Sequence, residues 1–122
     1  MKKVNYYKSL LDLKKSIAFV LGGSGLIGKE IVLALLSNGA RVVSFDIKSS
    51  KIKHPNFSSE IIDFKDIKNA SRVILKAIKK TGTPKIFINC SYPKTDDWTQ
   101  NNFKKISIES YKQNIDIHLN SY

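Results

Sequence analysis

Three glycines carry the plainest chemistry in this chain. Gly22, Gly25 and Gly28 recur at every third residue in Gly22-Gly23-Ser24-Gly25-Leu26-Ile27-Gly28, directly after the apolar run Ile17-Ala18-Phe19-Val20-Leu21. A strand that turns through such a loop into a helix presents unpaired N–H groups and the positive end of the helix dipole, which suits a phosphate anion. Gly22 permits the tight turn, Gly25 lets the backbone approach a pyrophosphate, and Gly28 lets the helix pack closely on the strand. Asp46 stands at the end of the next apolar segment, where an acidic residue completes a dinucleotide-binding pattern. The glycine spacing by itself also suits a flavin, a nucleotide sugar or a loop with no ligand.

The elements that must position these residues follow from periodicity. Ile17–Leu21 is a continuous apolar run of the kind found in strands buried on both faces. A helix is expected from Gly25 to about Ser37, with Ile27, Ile31, Ala34 and Leu35 on its apolar stripe and Asn38-Gly39 stopping it. Arg41 to Phe45 is the second strand, ending at Asp46, and Ile61-Ile62 mark a short third strand ending at Asp63. Ile67, Ala70, Ile74, Ala77 and Ile78 place a second helix over Asp66 to Lys80, closed by Thr81-Gly82-Thr83-Pro84. Lys85 to Asn89 is the fourth strand. After a loop from Cys90 to about Lys105, a final helix carries Ile108, Tyr111, Ile115, Leu119 and Tyr122. This alternation predicts an α/β fold, a Rossmann-type doubly wound parallel sheet in one domain over 1–122, with a polar lead-in over 1–15. About four strands are present, in the expected order 3-2-1-4. A complete fold of this type has about six, so the chain reads as incomplete at its C-terminal side.

Composition excludes several function classes. The net charge of +11 is almost entirely lysine, with Arg41 and Arg72 the only arginines, and the lysines are scattered along the chain. With abundant isoleucine and asparagine this reads as A+T-rich coding rather than a nucleic-acid surface, which favours clustered arginine. No nucleic-acid partner is expected. No run approaches the ~20 apolar residues that span a bilayer, and no signal peptide follows the basic N-terminus, so no membrane partner is expected. The single Cys90 excludes an internal disulfide and suits a reducing compartment, so the expected location is cytoplasmic. His54, His118 and Cys90 lack ligand spacing, and no metal site is expected. Cys90 reads as a packing residue, and Asp96-Asp97 as a turn. Tyr92 and Trp98 are placed to line a substrate mouth or to pin their loop.

The order of these segments resembles the N-terminal half of the short-chain dehydrogenase/reductase family. The resemblance rests on Leu11-Asp12-Leu13, the glycine loop, Asp46, Asp63-Phe64-Lys65-Asp66, Asn89-Cys90-Ser91 and the last amphipathic helix, over roughly residues 11–122. Tyr92-Pro93-Lys94 and Ile117-His118-Leu119-Asn120-Ser121-Tyr122 resemble more narrowly the flagellin modification protein A subgroup, which implies surface-sugar or flagellin-glycan metabolism. The resemblance implies that Gly22, Gly25 and Gly28, with the backbone of Ser24, Leu26 and Ile27, cradle a pyrophosphate. It implies that Asp46 accepts bonds from the adenosine ribose, which favours NAD over NADP, although Lys48 and Lys51 lie nearby. Asp63 would hold the adenine amino group, Phe64 would line its pocket, and Asn89 would sit beside the central ribose.

Departures from the family pattern are equally informative. Leu21 stands where threonine is usual, and Asn89-Cys90-Ser91-Tyr92 keeps only the first residue of Asn-Asn-Ala-Gly. His118 matches the catalytic asparagine of the last helix, either holding the same water relay or facing the other half of the fold. The catalytic Tyr-x-x-x-Lys is absent: four residues beyond Tyr6, Tyr7, Tyr92 and Tyr111 stand Leu10, Leu11, Asp96 and Ile115. No catalytic residue is therefore assigned. Three readings remain: the cofactor-binding portion of an oxidoreductase acting on a carbonyl or sugar, a non-catalytic dinucleotide-binding module, or the N-terminal portion of a nucleotide-sugar epimerase or dehydratase. In each, the fourth strand lies at an open edge and the last helix shows an apolar stripe, so self-association or a homo-oligomer is expected.

Overall fold

The computed structural model describes residues 12–92, 94–100 and 104–120. The element order is β1 (Ile17–Leu21), α1 (Leu26–Ser37), β2 (Arg41–Asp46), β3 (Phe57–Ile61), α2 (Ile67–Thr81), β4 (Ile86–Asn89) and α3 (Ile108–Asn120). All four strands are parallel and ordered β3-β2-β1-β4, as the alternation predicts. Phe19 pairs in register with Val43 on one side and Phe87 on the other.

Successive residues of a strand point to opposite faces, and that alternation divides the core in two. Ala18, Val20 and Val42 meet Val32, Leu35 and Leu36 of α1 on one face. Phe19, Leu21, Val43 and Phe45 meet Ala70 and Ala77 of α2 on the other. The Phe19 and Phe45 rings lie 5.0 Å apart at 60°. Helices on both faces explain why β1 reads as an unbroken apolar run and why β2 is buried from Val42 to Phe45.

The third strand differs from expectation. It spans Phe57–Ile61, and Ile62 lies just beyond it, buried, with its N–H donating to the Asp46 carbonyl at 3.0 Å. Phe57-Ser58-Ser59-Glu60-Ile61 carries polar residues because β3 is a sheet edge, where pairing to β2 needs only backbone groups.

The buried face of α1 also differs. Gly28, Val32, Leu35 and Leu36 face the core, whereas Ile27 is 72% exposed and Ala34 is exposed. Gly28 sets this rotation. A Cβ there would strike the Gly22 carbonyl oxygen, so the glycine is pressed against the loop turn rather than the strand itself, and residues three and four positions on share its face.

The α2 boundary shifts by one residue, with Asp66 as N-cap accepting from the Asn69 N–H at 3.0 Å. The final helix shows Ile108, Tyr111, Ile115 and Leu119 on its exposed side, between 39% and 71% accessible, as expected. Tyr122 and most of the polar lead-in lie outside the described residues. What α3 buries is polar. Asn114 donates to Thr95 Oγ1 at 2.7 Å and to the Ser110 carbonyl at 2.8 Å, while its Oδ1 accepts from the Thr95 N–H at 3.3 Å. Ser110 Oγ donates to Asp97 Oδ1 at 2.9 Å, completing the tie between α3 and the loop after β4.

Candidate functional site

The glycine loop sits at the C-terminal end of the central strand, where the sheet order reverses between β1 and β4. Such a switch point opens a crevice in doubly wound sheets because the neighbouring connections leave on opposite faces. Gly22 has φ +71°, a left-handed conformation that disfavours any side chain. A Cβ on it would lie 2.7 Å from the Cys90 carbonyl and the Ser91 nitrogen, so the turn also touches the segment after β4. Its N–H donates to the Phe45 carbonyl at 2.7 Å, fastening the loop to β2.

Gly25 is the N-cap of α1 and brings no side-chain cap; the first turn also lacks an acidic residue. The Lys29 N–H reaches the Gly25 carbonyl at 3.0 Å as the first intrahelical bond, so the N–H groups of 26–28 precede any intrahelical acceptor. A Cβ on Gly25 would meet only the Gly22 carbonyl oxygen, at 3.3 Å, and otherwise open space. The helix end is thus bare, electropositive and approachable.

Asp46 closes the other side. Its two carboxylate oxygens accept separately from the Ser24 N–H at 2.9 Å and the Lys48 N–H at 3.1 Å. A carboxylate offers about four lone-pair sites, so this buttressing leaves acceptor capacity facing the crevice. Ser24 Oγ donates to the Lys48 carbonyl at 3.1 Å, tying the glycine loop to the end of β2 a second time.

Together these groups bound a cleft of about 910 Å³. Gly22, Ser24, Gly25, Leu26, Ile27, Gly28, Asp46, Asp63 and Phe64 all line it. Leu26 is 94% exposed there, an apolar side chain with no core role. Asn89 is the exception. Its Oδ1 accepts from the Ser91 N–H at 2.9 Å and from Ser91 Oγ at 2.6 Å, shaping the turn after β4 without lining the cleft.

The cleft also takes in residues to which the sequence reading gave no site role, among them Ile47, Lys65, Ser91 and Thr95. All follow the C-terminal end of a strand, and that placement is the signal that finds them. Tyr92 lines the β4 end, its ring 5.7 Å from Trp98 and 4.7 Å from His118. His118 Nε2 is buried under this stack with no hydrogen-bond partner. Among the described residues no group of three or more His, Cys, Asp or Glu is disposed to hold a metal ion, and no helix is long and apolar enough to cross a membrane.

Known proteins place this geometry. Residues 18–114 match the NAD dependent epimerase/dehydratase family. Over 120 residues the chain is 25% identical to the post-translational flagellin modification protein A of Campylobacter coli, covering 90% of this chain and 47% of that protein. Among solved structures it is similar to a short chain dehydrogenase from Leptospira borgpetersenii with bound NAD+. The TM-score is 0.76 at 23% identity, covering 94% of this chain and 44% of that one. It is likewise similar to 2-keto-3-deoxy-D-gluconate dehydrogenase from Streptococcus agalactiae, with a TM-score of 0.73 at 23% identity and coverage of 97% and 46%. The chain spans about half the length of the curated relative it matches. It belongs to the NAD dependent epimerase/dehydratase family.

Proposed function

From membership of that family, we propose that the chain is the cofactor-binding portion of an NAD-dependent oxidoreductase acting on a carbonyl or sugar substrate. The observation that carries this reading is the convergence of the bare α1 N-terminus, Asp46 and Phe64 on one cleft at the sheet's switch point. The strand order orients the ligand. A bound dinucleotide would place its adenosine toward β2 and β3, against Asp46, Asp63 and Phe64, its pyrophosphate across the glycine loop, and its reacting nucleoside toward β4 and Tyr92, the ring on which His118 packs. NAD bound there would supply a hydride-accepting ring, while this chain's residues bind and orient it. Asn89 supports that end by shaping the Ser91 turn.

Asp46 favours NAD over NADP, because a carboxylate already held by two N–H groups cannot turn away from a 2′-phosphate. A sugar substrate is supported by the relative named for flagellin modification and by the family's epimerase and dehydratase members. The alternative reading is a dinucleotide-binding module without chemistry of its own; the two part on whether residues outside this sequence carry Tyr-x-x-x-Lys. A cytoplasmic location accompanies either.

The open β4 edge, with Phe87 57% exposed, and the apolar side of α3 support self-association into a homo-oligomer. Calorimetric titration with NAD+ and NADP+, on the parent and on Asp46→Ala, tests the cofactor reading. The parent should prefer NAD+, and the variant should lose that preference with roughly a tenfold or greater loss of NAD+ affinity, since a bond to a charged group is worth about 1.5–3 kcal/mol. Equal affinities of both proteins for both nucleotides would defeat it.

A further inference from the structure

Six of the sixteen described lysines stand with Arg41 at the pole opposite the cleft, whereas Lys48, Lys65 and Lys94 line the cleft itself. In a parallel sheet every strand starts at the same end, and here each start is marked by a cation. Lys53 precedes β3, Arg41 opens β2, Lys14 and Lys15 precede β1, and Lys85 precedes β4. Backbone bonds hold these turns together. The Arg41 N–H donates to the Ser16 carbonyl at 2.9 Å, the Lys85 N–H to the Ile17 carbonyl at 2.9 Å, and the Val42 N–H to the Asn56 carbonyl at 2.8 Å. At the usual strand spacing the row is roughly 14 Å wide.

Lys79 and Lys80, in the last turn of α2, stand to one side of the row, so the cations cover an area rather than a line. All of these side chains are exposed. Asp12 is the only acid in the turns 12–16, 38–41, 53–56 and 79–85, and it is taken up by Lys14 at 4.0 Å. The carbonyl end of α2 offsets about half a charge more. Most of the other acids, Asp46, Asp63, Asp66, Asp96 and Asp97 among them, lie toward the cleft end.

We propose that this pole is a docking surface for an anionic lipid bilayer. The turns contain no Phe, Tyr or Trp to stack on a base, His54 being their one aromatic ring; Arg41 is their only arginine, and none of the exposed large apolar residues falls within them. Lysine point charges over an area recognise a negatively charged plane through its field, whereas base readout uses arginine forks and stacking. The absence of a bilayer-spanning helix bears only on insertion, and this contact inserts nothing. Docking by this pole points the cleft away from the membrane, open to soluble ligands.

Co-sedimentation of the full chain with vesicles tests the proposal. Vesicles of phosphatidylcholine mixed with phosphatidylglycerol should bind it, pure phosphatidylcholine vesicles should not, and binding should fall steeply with added salt. The combined variant Lys53→Gln, Lys80→Gln and Lys85→Gln should weaken binding roughly a hundredfold, at about 1 kcal/mol per lysine and tenfold per 1.4 kcal/mol. The combined variant Lys68→Gln, Lys105→Gln and Lys112→Gln removes the same charge elsewhere and should change binding less than roughly threefold, as screening confines the field to near charges. Circular dichroism melts confirm that both variants fold. Equal losses in the two variants, binding to neutral vesicles, or binding to duplex DNA without binding to anionic vesicles would each overturn it.

Discussion

Replacing Gly28 by alanine sets two forces against each other at a single carbon. Helix propensity favours the change by about 1 kcal/mol, since Gly28 lies inside α1. The packing opposes it. The added Cβ would meet the Gly22 carbonyl oxygen, stand 2.8 Å from the Gly22 carbonyl carbon, and lie 2.9 Å from the Gly23 Cα. All three are backbone atoms of a turn already fastened to β2 and touching the segment after β4, so no side chain can swing aside. Overpacking of this kind costs toward the upper end of about 1–3 kcal/mol. Net of propensity, Gly28→Ala should lose about 2 kcal/mol, a drop in Tm of roughly 8 °C for a domain of this size. Gly25→Ala is the matched control. Its Cβ points into the cleft, so stability should change by less than about 1 kcal/mol, while NAD affinity falls at least about tenfold as the pyrophosphate is pushed off the helix end. Urea melts and nucleotide titrations on the two variants separate the effects. A Gly28→Ala protein as stable as the parent would refute the packing argument.

Three further perturbations probe other parts of the account. Ser44→Ala should stabilise the protein by about 1 kcal/mol in urea melts, because Ser44 Oγ is buried without a partner against the Gly23 backbone; a loss of stability would contradict this. Asn114→Ala should cost about 1–3 kcal/mol by stranding the Thr95 N–H and leaving the Thr95 hydroxyl only its 3.4 Å contact with Ser110 Oγ. The fluorescence of Trp98, the single tryptophan, should report a loosened loop, and an unchanged spectrum and melt would count against the tie. Phe87→Lys places a charge on the exposed β4 edge and should shift sedimentation velocity profiles toward monomer at equal concentration; unchanged profiles would remove the edge from the self-association surface.

The parts of this fold legible in the sequence are those whose side chains and backbone demand the same thing. Ile17–Leu21 and Val42–Phe45 lie between helices on both faces, so their composition marks them as strands. Gly22, Gly25 and Gly28 declare a loop because the close approaches there admit no side chain. The third strand was read from Ile61-Ile62 alone, and its start at Phe57 was illegible because an edge strand pairs through its backbone and tolerates Ser58, Ser59 and Glu60. The rotation of α1 was misread because Ile27 looks like a core residue yet stands at the cleft, while Gly28, with no side chain, sets the packing. The polar interior of α3 was invisible for another reason. Asn114 and Thr95 are far apart in sequence, and nothing in either residue announces that they satisfy each other. The row of cations at the strand starts is a property of parallel topology rather than of any local run.

Amide-resolved nuclear magnetic resonance during titration with NAD+ tests the central claim most directly. The shifts should concentrate on residues 22–28, 46–48, 63–65 and 90–92, the loops that bound the cleft, and should saturate together with a single affinity. No shifts, or shifts centred on the strand-start pole or the exposed side of α3, would contradict the assignment of this cleft as the dinucleotide site.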